Sequence, residues 1–441
     1  MMKVLAVGGG GREHAIVRAL YDGGAEIYAA MKNRNPGIAR ASREFELIKE
    51  TDVQKVTDFA IRSGVEMAVI GPEAPLEVGL ADSLEAEGIG CVAPRKNAAR
   101  IETSKSFMRN LMKDHSIPGN LDFEVFDSYG DAKEFMMGYD GEVAVKPVGL
   151  TGGKGVKIQG EHLLTKQAVL DYVKEILDKS IGGGAVVLEE RAKGEEFTLQ
   201  AFCDGKSVVP MPVVQDHKRA YEGDRGPNTG GMGSYSMADH SLPFMTQEEY
   251  EGAMDIMAKT VTAMADEGCP YVGFLYGQFI LTRNGPRVIE FNARFGDPEA
   301  MNVLPILTSN FVEICGHIVD GTLSQSKTAF AKKATVCKYV VPEGYGTKSM
   351  AGLPITVDER AIDKEGVWLY YAAVNEEKDR VLTTTSRSLA IVGVEDSIED
   401  AEKACERGLA HIKGEAIAIR HDIGKPELIQ RRIDHMKEIR G

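Results

Sequence analysis

Short apolar runs alternate with stretches of helical periodicity through the first hundred residues. Residues 3–7 read as an apolar strand, the glycine run 8–11 follows, and residues 12–21 put Ile16, Val17 and Leu20 on one helical face. The pattern returns with strands at 26–29 and 67–70 and helices at 52–62 and 77–87. Such alternation predicts a parallel sheet wrapped by helices.

Around residues 94–106 the rhythm gives way to a charged linker and helix, then to a mixed segment, 117–203, with two glycine-rich stretches and several short β-runs. This is read as a second, smaller α+β lobe. Residues 215–236 are dense in Gly, Asp, Lys, Arg and Asn with little periodicity, too long for an ordinary connection and therefore functional. A long amphipathic helix is predicted at 246–267. The β-runs 271–281 and 287–292 flank Asn284-Gly285-Pro286, a turn that suits an antiparallel hairpin. The last hundred residues mix strands at 334–341, 366–374 and 381–394 with a helix near 399–408. The chain shows no internal repeat.

With 441 residues, 43% of them hydrophobic, the chain is too long for one core, and three or four lobes are expected. The net charge of −14, with Lys and Arg dispersed, argues against a nucleic-acid groove, so any phosphate must be held locally. The six cysteines lie far apart without metal-binding spacing and read as buried small hydrophobes of a reducing cytoplasm. No apolar stretch approaches the roughly 20 residues of a membrane helix, so a cytoplasmic protein without a membrane partner is expected.

Three segments carry chemistry. Gly8-x-Gly10 follows a strand and opens a helix whose amides can receive a phosphate. The third glycine position of a dinucleotide fingerprint is Glu13, and that glycine is what lets helix and strand pack closely. A phosphorylated small substrate, a dinucleotide and a bare structural turn all remain open here.

Residues 143–146 read as a strand ending in Lys146, with Gly149-Leu-Thr-Gly-Gly-Lys-Gly155 close behind. Backbone amides of Gly152 and Gly153, with Lys154, can close over a triphosphate while Lys146 fixes a phosphate from the other side. Gly155 after Lys154 departs from the usual phosphate loop, and a glycine hairpin with a solvated lysine is the plain alternative. The apolar run 185–188 delivers Glu189 and Glu190, with Glu196 just beyond Gly194. These carboxylates suit an adenine amino group and ribose hydroxyls, or form an exposed acidic hairpin.

The sharpest pattern is Val288-Ile-Glu-Phe-Asn-Ala-Arg-Phe-Gly-Asp-Pro-Glu299. Strand alternation aims Glu290, Asn292 and Arg294 one way and Ile289, Phe291, Ala293 and Phe295 the other. One face anchors in a core. The opposite face offers oxygen donors for Mg²⁺ or Mn²⁺ and a guanidinium for a carboxylate or phosphoryl group, with Gln278 on the neighbouring strand as a further donor. The motifs Gln215-Asp-His-Lys-Arg219 and Gly226-Pro-Asn-Thr-Gly-Gly-Met-Gly233 supply acid, cations and a glycine hinge, a composition suited to a lid.

Together these residues resemble the ATP-grasp superfamily and, within it, the phosphoribosylamine–glycine ligase family. The likeness rests also on Gly10-Gly-Arg-Glu-His-Ala15, Gly71-Pro-Glu-Ala-Pro-Leu76 and Gly273-Phe-Leu-Tyr276, and it spans nearly the whole chain. It implies an α/β and α+β multidomain fold: an N-terminal parallel-sheet substrate domain (1–103), a linker helix (104–119), an ATP-grasp small lobe (120–200), a large lobe with the metal site (201–328) and a C-terminal β-rich domain (329–441). It implies ATP-dependent joining of glycine to 5-phosphoribosylamine through glycyl phosphate, in purine biosynthesis. The alternatives are another ATP-grasp carboxylate–amine ligase and a dinucleotide-binding oxidoreductase.

Carried over by motif, Lys105, Lys146, Gly152, Gly153 and Lys154 hold ATP phosphates, Glu189, Glu190 and Glu196 lie at adenine and ribose, and Gln278, Glu290 and Asn292 bind Mg²⁺ or Mn²⁺. Arg294 faces the glycine carboxylate and, with Lys154, the transferring phosphoryl group. Gly10, Arg12, Glu13, His14 and Glu73 hold phosphoribosylamine, Asp216 and Asp297 line the junction where amine meets acyl phosphate, and Lys218 is a further substrate contact. One departure is Met31-Lys-Asn-Arg-Asn-Pro-Gly37, where many relatives have Pro-Gly-Asn-x-Gly, which leaves the phosphoribosyl contacts of this loop open. Small-molecule substrates, no nucleic acid, and a monomer or weak homodimer complete the expectation.

Overall fold

The computed structural model describes residues 1–151, 155–378 and 380–441. Lys3–Val7 pairs in parallel with Glu26–Met31 on one side and Met67–Ile70 on the other, and Ser42–Leu47 and Gly90–Val92 complete a five-stranded parallel sheet. The last two strands are additions to the sequence pattern. Ser42–Leu47 is a polar, half-exposed edge and Gly90–Val92 has only three residues, so neither carries a legible period. The helix expected at 77–87 is instead two, Glu73–Glu77 and Leu80–Ala86, because Gly79 between them takes a left-handed φ of 83°.

Helices Lys96–Thr103 and Lys105–Asp114 meet at Ser104, whose hydroxyl accepts from the Phe107 amide and caps the second. A small antiparallel sheet follows, in the order Phe123–Phe126, Val186–Glu190, Val143–Pro147, Lys157–Ile158. Helices Tyr129–Gly138 and Lys166–Asp178 cover one face around Val143, Val145, Val186 and Leu188. Strand alternation therefore turns Ala144, Lys146, Val187 and Glu189 to the other face.

The larger lobe holds a four-stranded antiparallel sheet, Val208–Pro210, Glu195–Asp204, Val272–Thr282 and Gly285–Asn292, the last two forming the predicted hairpin. The helix Gln247–Asp266 opens with a Thr246–Glu249 capping box and shares a core with Phe279 and Phe291 through Ile256 and Met257.

Residues 215–236 are more ordered than their composition predicts. Gln215–Asp216 and Gly233–Ser236 pair with each other, a short hairpin of Arg219–Tyr221 and Arg225–Asn228 stands between them, and Gly233–Ser236 pairs with Ala334–Pro342. The resulting six-stranded sheet also includes Leu389–Glu395, Trp368–Tyr371 and Ile417–Ile419. The β-rich C-terminal sheet thus borrows strands that precede residue 329. Strand 366–374 is observed as Trp368–Tyr371 and Val374–Glu377, and strand 381–394 as Arg380–Thr383 and Leu389–Glu395. The sequence pattern also omits the final helix, Pro426–Arg440, whose charged face pairs Arg440 with Glu249 at 2.7 Å.

All six cysteines are buried and free. Among the described residues no helix is long and apolar enough to cross a membrane.

Candidate active site

The face predicted on the strand Gly285–Asn292 is realised where three lobes meet. Phe291, Ala293 and Phe295 are buried as predicted, but Ile289 is only half-buried because the pairing register shifts there and Val288 takes the core position; Arg294 reaches Glu102, and Lys146 reaches the strand at the Ile289 carbonyl. Lys146, at the end of its strand, reaches across the cleft to the carbonyl of Ile289 at 3.2 Å, and Lys105 lies beside it with Nζ 3.2 Å from the Gly149 carbonyl. Burial lowers the Lys105 pKa, and Lys146 nearby adds to the effect against the pull of Glu290. Burial alone pushes the Glu290 carboxyl up, but Lys218, Lys105, Lys146 and Arg294 together hold it below its usual range. The lysines and the acidic strand face form one electrostatic unit.

On the other side of Glu290, Lys218 donates to Glu196 at 2.9 Å. Burial would lower the Lys218 pKa, and Glu196, Asp216 and Glu290 raise it instead. Asp216 is pushed up to about 7 by burial, with Glu299 and Glu196 reinforcing the shift against Lys218. Arg294 donates to Asn292 Oδ1 and to the Phe295 carbonyl at 3.2 Å each, and pairs with Glu102 at 3.0 Å and Glu73 at 3.5 Å. Asp297 is held by the Tyr339 hydroxyl and by Arg387, whose Nη2 is 3.1 Å from Oδ2.

Four predicted residues are already engaged by protein partners. Glu189 does not present itself to adenine or ribose: it is 1% exposed, both oxygens bond to Arg109 at 2.9 and 3.0 Å, and Lys146 lies 2.5 Å away. Burial opposes its charge, yet Arg109 and Lys146 bring its pKa down to about 2. Gln278 sits in a hydrogen-bonded cluster, where its Oε1 accepts from the hydroxyls of Tyr276 and Thr198 and its Nε2 donates to Glu196 at 3.0 Å. Glu13 turns inward, accepting from the Gly10 amide at 2.7 Å and Arg12 Nε at 2.6 Å. His14 faces the C-terminal sheet, where Nδ1 accepts from the Tyr371 amide at 2.8 Å and the ring packs on Gly37.

The remaining predicted residues divide. Gly10, Arg12 and Glu73 stay at the cleft, with Arg12 Nη1 donating to the Phe295 carbonyl at 3.1 Å and the Glu73 carboxylate held low by Arg294 and Arg12 against burial. Glu190 lies on the opposite strand face from Glu189, near Arg287 at 3.4 Å and the Asp122 amide. Gly152, Gly153 and Lys154 fall outside the described residues. Glu102, Arg109, Tyr276, Glu299, Tyr339 and Arg387 are the groups that sequence reasoning missed. Glu299 carried a signal as the end of the Gly-Asp-Pro-Glu stretch and Tyr276 as the end of Gly273-Phe-Leu-Tyr276; the others are brought in by packing across distant segments.

Glu13 also bears on the dinucleotide alternative. A Cβ on Gly8 or Gly71 would lie 2.6 or 2.3 Å from Glu13 atoms, so the carboxylate side chain fills the space beneath the turn. That alternative is not favoured.

The chain matches three family models in order: the phosphoribosylglycinamide synthetase N domain at residues 2–102, its ATP-grasp (A) domain at 103–300 and its C domain at 335–426. It is 56% identical over 442 residues to a phosphoribosylamine–glycine ligase of Methanothermobacter thermautotrophicus, covering 100% of both chains. A crystal structure of phosphoribosylamine–glycine ligase from Thermotoga maritima superposes with a TM-score of 0.80 at 27% identity, covering 96% of this chain and 100% of that one. The biotin carboxylase domain of Hydrogenobacter thermophilus 2-oxoglutarate carboxylase, solved with MgADP and bicarbonate, shares the fold at 16% identity and a TM-score of 0.73, covering 99% of this chain and 93% of that one. By family models and full-length relatives alike, this chain belongs to the phosphoribosylamine–glycine ligase family.

Proposed function

We propose that the chain joins glycine to 5-phosphoribosylamine at the expense of ATP, giving glycinamide ribonucleotide, ADP and phosphate, and that the Glu290 strand face is where the chemistry occurs. The observation that carries this reading is the contact of Lys146 Nζ with the Ile289 carbonyl, which sets a phosphate-binding lysine beside the acidic strand face.

Lys105 and Lys146 hold the ATP phosphates, and the carboxylate–lysine pair Glu196–Lys218 closes the other side of the nucleotide. Glu189 positions Lys146 rather than touching nucleotide. The Glu290 carboxylate and the Asn292 amide oxygen, which also accepts from Arg294 Nη2 at 3.2 Å, are hard oxygen donors on one strand face, of the kind Mg²⁺ or Mn²⁺ takes. Glu290 and Asn292 would hold Mg²⁺ or Mn²⁺ there, and the cation would offset charge on the transferring phosphoryl group.

Arg294 orients the glycine carboxylate, one oxygen of which attacks the γ-phosphorus of ATP, and the bond to ADP breaks. The amine of 5-phosphoribosylamine, held between the glycine turn at Gly10, Arg12 and Asp297, then attacks the carbonyl carbon of glycyl phosphate. A C–N bond forms, the C–O bond to phosphate breaks, and the proton lost by nitrogen leaves with the phosphate. Asp216 and Lys218 flank this step. Six buried free thiols support a reducing cytoplasm.

A coupled ADP-release assay with each component withheld in turn tests the reading. With no other nucleophile added, sustained ADP release should require both glycine and 5-phosphoribosylamine. ADP release sustained instead by bicarbonate, or by another carboxylate and amine, assigns the site to a different ligase.

A further inference from the structure

Arg387 lies in the C-terminal sheet region, 90 positions beyond Asp297, and carries no sequence signal. Its guanidinium nevertheless spans three separate segments. Nη1 donates to the carbonyls of Gly230 at 2.5 Å, Gly231 at 3.3 Å and Asp297 at 2.7 Å, and Nη2 pairs with Asp297 Oδ2 at 3.1 Å. The plane sits over the Tyr339 ring, 4.7 Å from its centroid, and the Tyr339 hydroxyl donates to Asp297 Oδ1.

Both oxygens of Asp297 are therefore fixed from the C-terminal side, and the Asp297 and Arg387 side chains are each only 13% exposed. The same carboxylate faces the N-terminal glycine turn: a Cβ on Gly10 would lie 3.7 Å from Asp297 Oδ2, and one on Gly11 would collide with the Tyr339 hydroxyl. The hydrogen bonds of Arg387 go to Gly230, Gly231 and Asp297 and not to Glu290, Arg294 or the phosphate-side lysines. A planar fork with five donors can fasten carbonyls and a carboxylate together, which a lysine cannot.

We propose that Arg387 is a positioning residue for the amide-forming half of the reaction: with Tyr339 it fixes the Asp297 carboxylate and the backbone of Gly230 and Gly231 where the amine of 5-phosphoribosylamine meets the acyl phosphate. This rests on the reading above that Asp297 lies at that junction. Glycyl phosphate forms on the other side of the cleft and does not need Arg387. The attack of the amine does, because the nitrogen must be held on line with the carbonyl carbon, and a displacement of about 1 Å can cost about 100-fold in rate.

The test separates the two halves in the full-length protein. Hydroxylamine supplied in place of 5-phosphoribosylamine captures glycyl phosphate as glycine hydroxamate, and 5-phosphoribosylamine made in situ from ribose 5-phosphate and ammonia reports the complete reaction. Arg387→Met should keep hydroxamate formation within about twofold of the parent while glycinamide ribonucleotide formation falls about 100-fold. Tyr339→Phe, which removes one hydroxyl and keeps the ring, should show the same selectivity with a loss of about tenfold; it decides the matter should Arg387→Met not fold. Parallel loss of both rates, or full retention of amide formation, overturns the proposal. A parent protein that yields ribonucleotide but no hydroxamate removes the glycyl phosphate reading, and this inference with it.

Discussion

Glu102 and Arg294 meet with Arg294 Nη2 3.0 Å from Glu102 Oε1, and the second oxygen of Glu102 accepts from the Ala293 amide at 2.6 Å. One buried carboxylate thus grips both the guanidinium and the backbone just before it. With Nη1 on the Phe295 carbonyl and Nη2 shared by Asn292 and Glu102, Arg294 Nε is buried without a hydrogen-bond partner. That Nε faces the Glu73 carboxylate at 3.5 Å, so Glu73 and Glu102 flank the guanidinium from two sides.

Glu102→Gln keeps the shape but releases this grip. The KM for glycine should rise about tenfold, the value of one charge-assisted hydrogen bond, with the KM for ATP little changed. Steady-state kinetics with each substrate varied separately provides the check, and equal changes in both values contradict the assignment.

Glu290→Ala removes charge that acts on the transferring phosphoryl group more than on the fold. The kcat should fall by about 100-fold or more while the melting temperature moves little. Near-normal turnover in this variant removes Glu290 from the mechanism.

The Arg109–Glu189 pair has both side chains fully buried. Truncating one partner, as in Arg109→Met, leaves a buried carboxylate short of a cation and should destabilise the protein by about 3–5 kcal/mol in urea unfolding. The pair also sets an acid limit. Because the Glu189 pKa is depressed from 4.5 to about 2 in the fold, its stabilisation is complete above pH 4.5 and is lost as pH falls through 2.

His14 behaves in a related way at a higher pH. Burial lowers its pKa from 6.5 to about 4, with Arg18 and Arg40 adding to the shift against Glu359. The unfolded chain takes up the proton first as pH falls, so the contribution of the neutral ring is full above pH 6.5 and is lost on the way down to pH 4. Melting temperatures of the parent and His14→Phe should converge over that window, and a constant gap between them contradicts the assignment.

The parallel sheet, the hairpin and the polar face at Glu290, Asn292 and Arg294 were legible because each rests on a local period or turn. What stayed hidden depends on which distant segment lies opposite. Glu189 looks like a ligand-facing acid at the end of an apolar run, and the arrival of Arg109 from the helix Lys105–Asp114, with Lys146 from the neighbouring strand, turns it into a structural ion. Glu13 occupies a glycine position and reads as a substrate contact, whereas the Gly10 amide and Arg12 consume it locally. Residues 215–236 lack periodicity because their strands are two to four residues long and are completed by Ala334–Pro342, a hundred positions later. Arg387 is the extreme case, since nothing in its neighbours along the chain points to Asp297.

The route of one oxygen atom tests the central claim most directly. With glycine carrying oxygen-18 in both carboxylate positions, attack on ATP places one of those atoms between carbon and phosphorus, and amide formation leaves it on phosphorus. Mass analysis of the released phosphate should find one heavy oxygen per molecule formed with the ribonucleotide. Phosphate containing only oxygen-16, at a normal rate of product formation, contradicts carboxylate activation at this site.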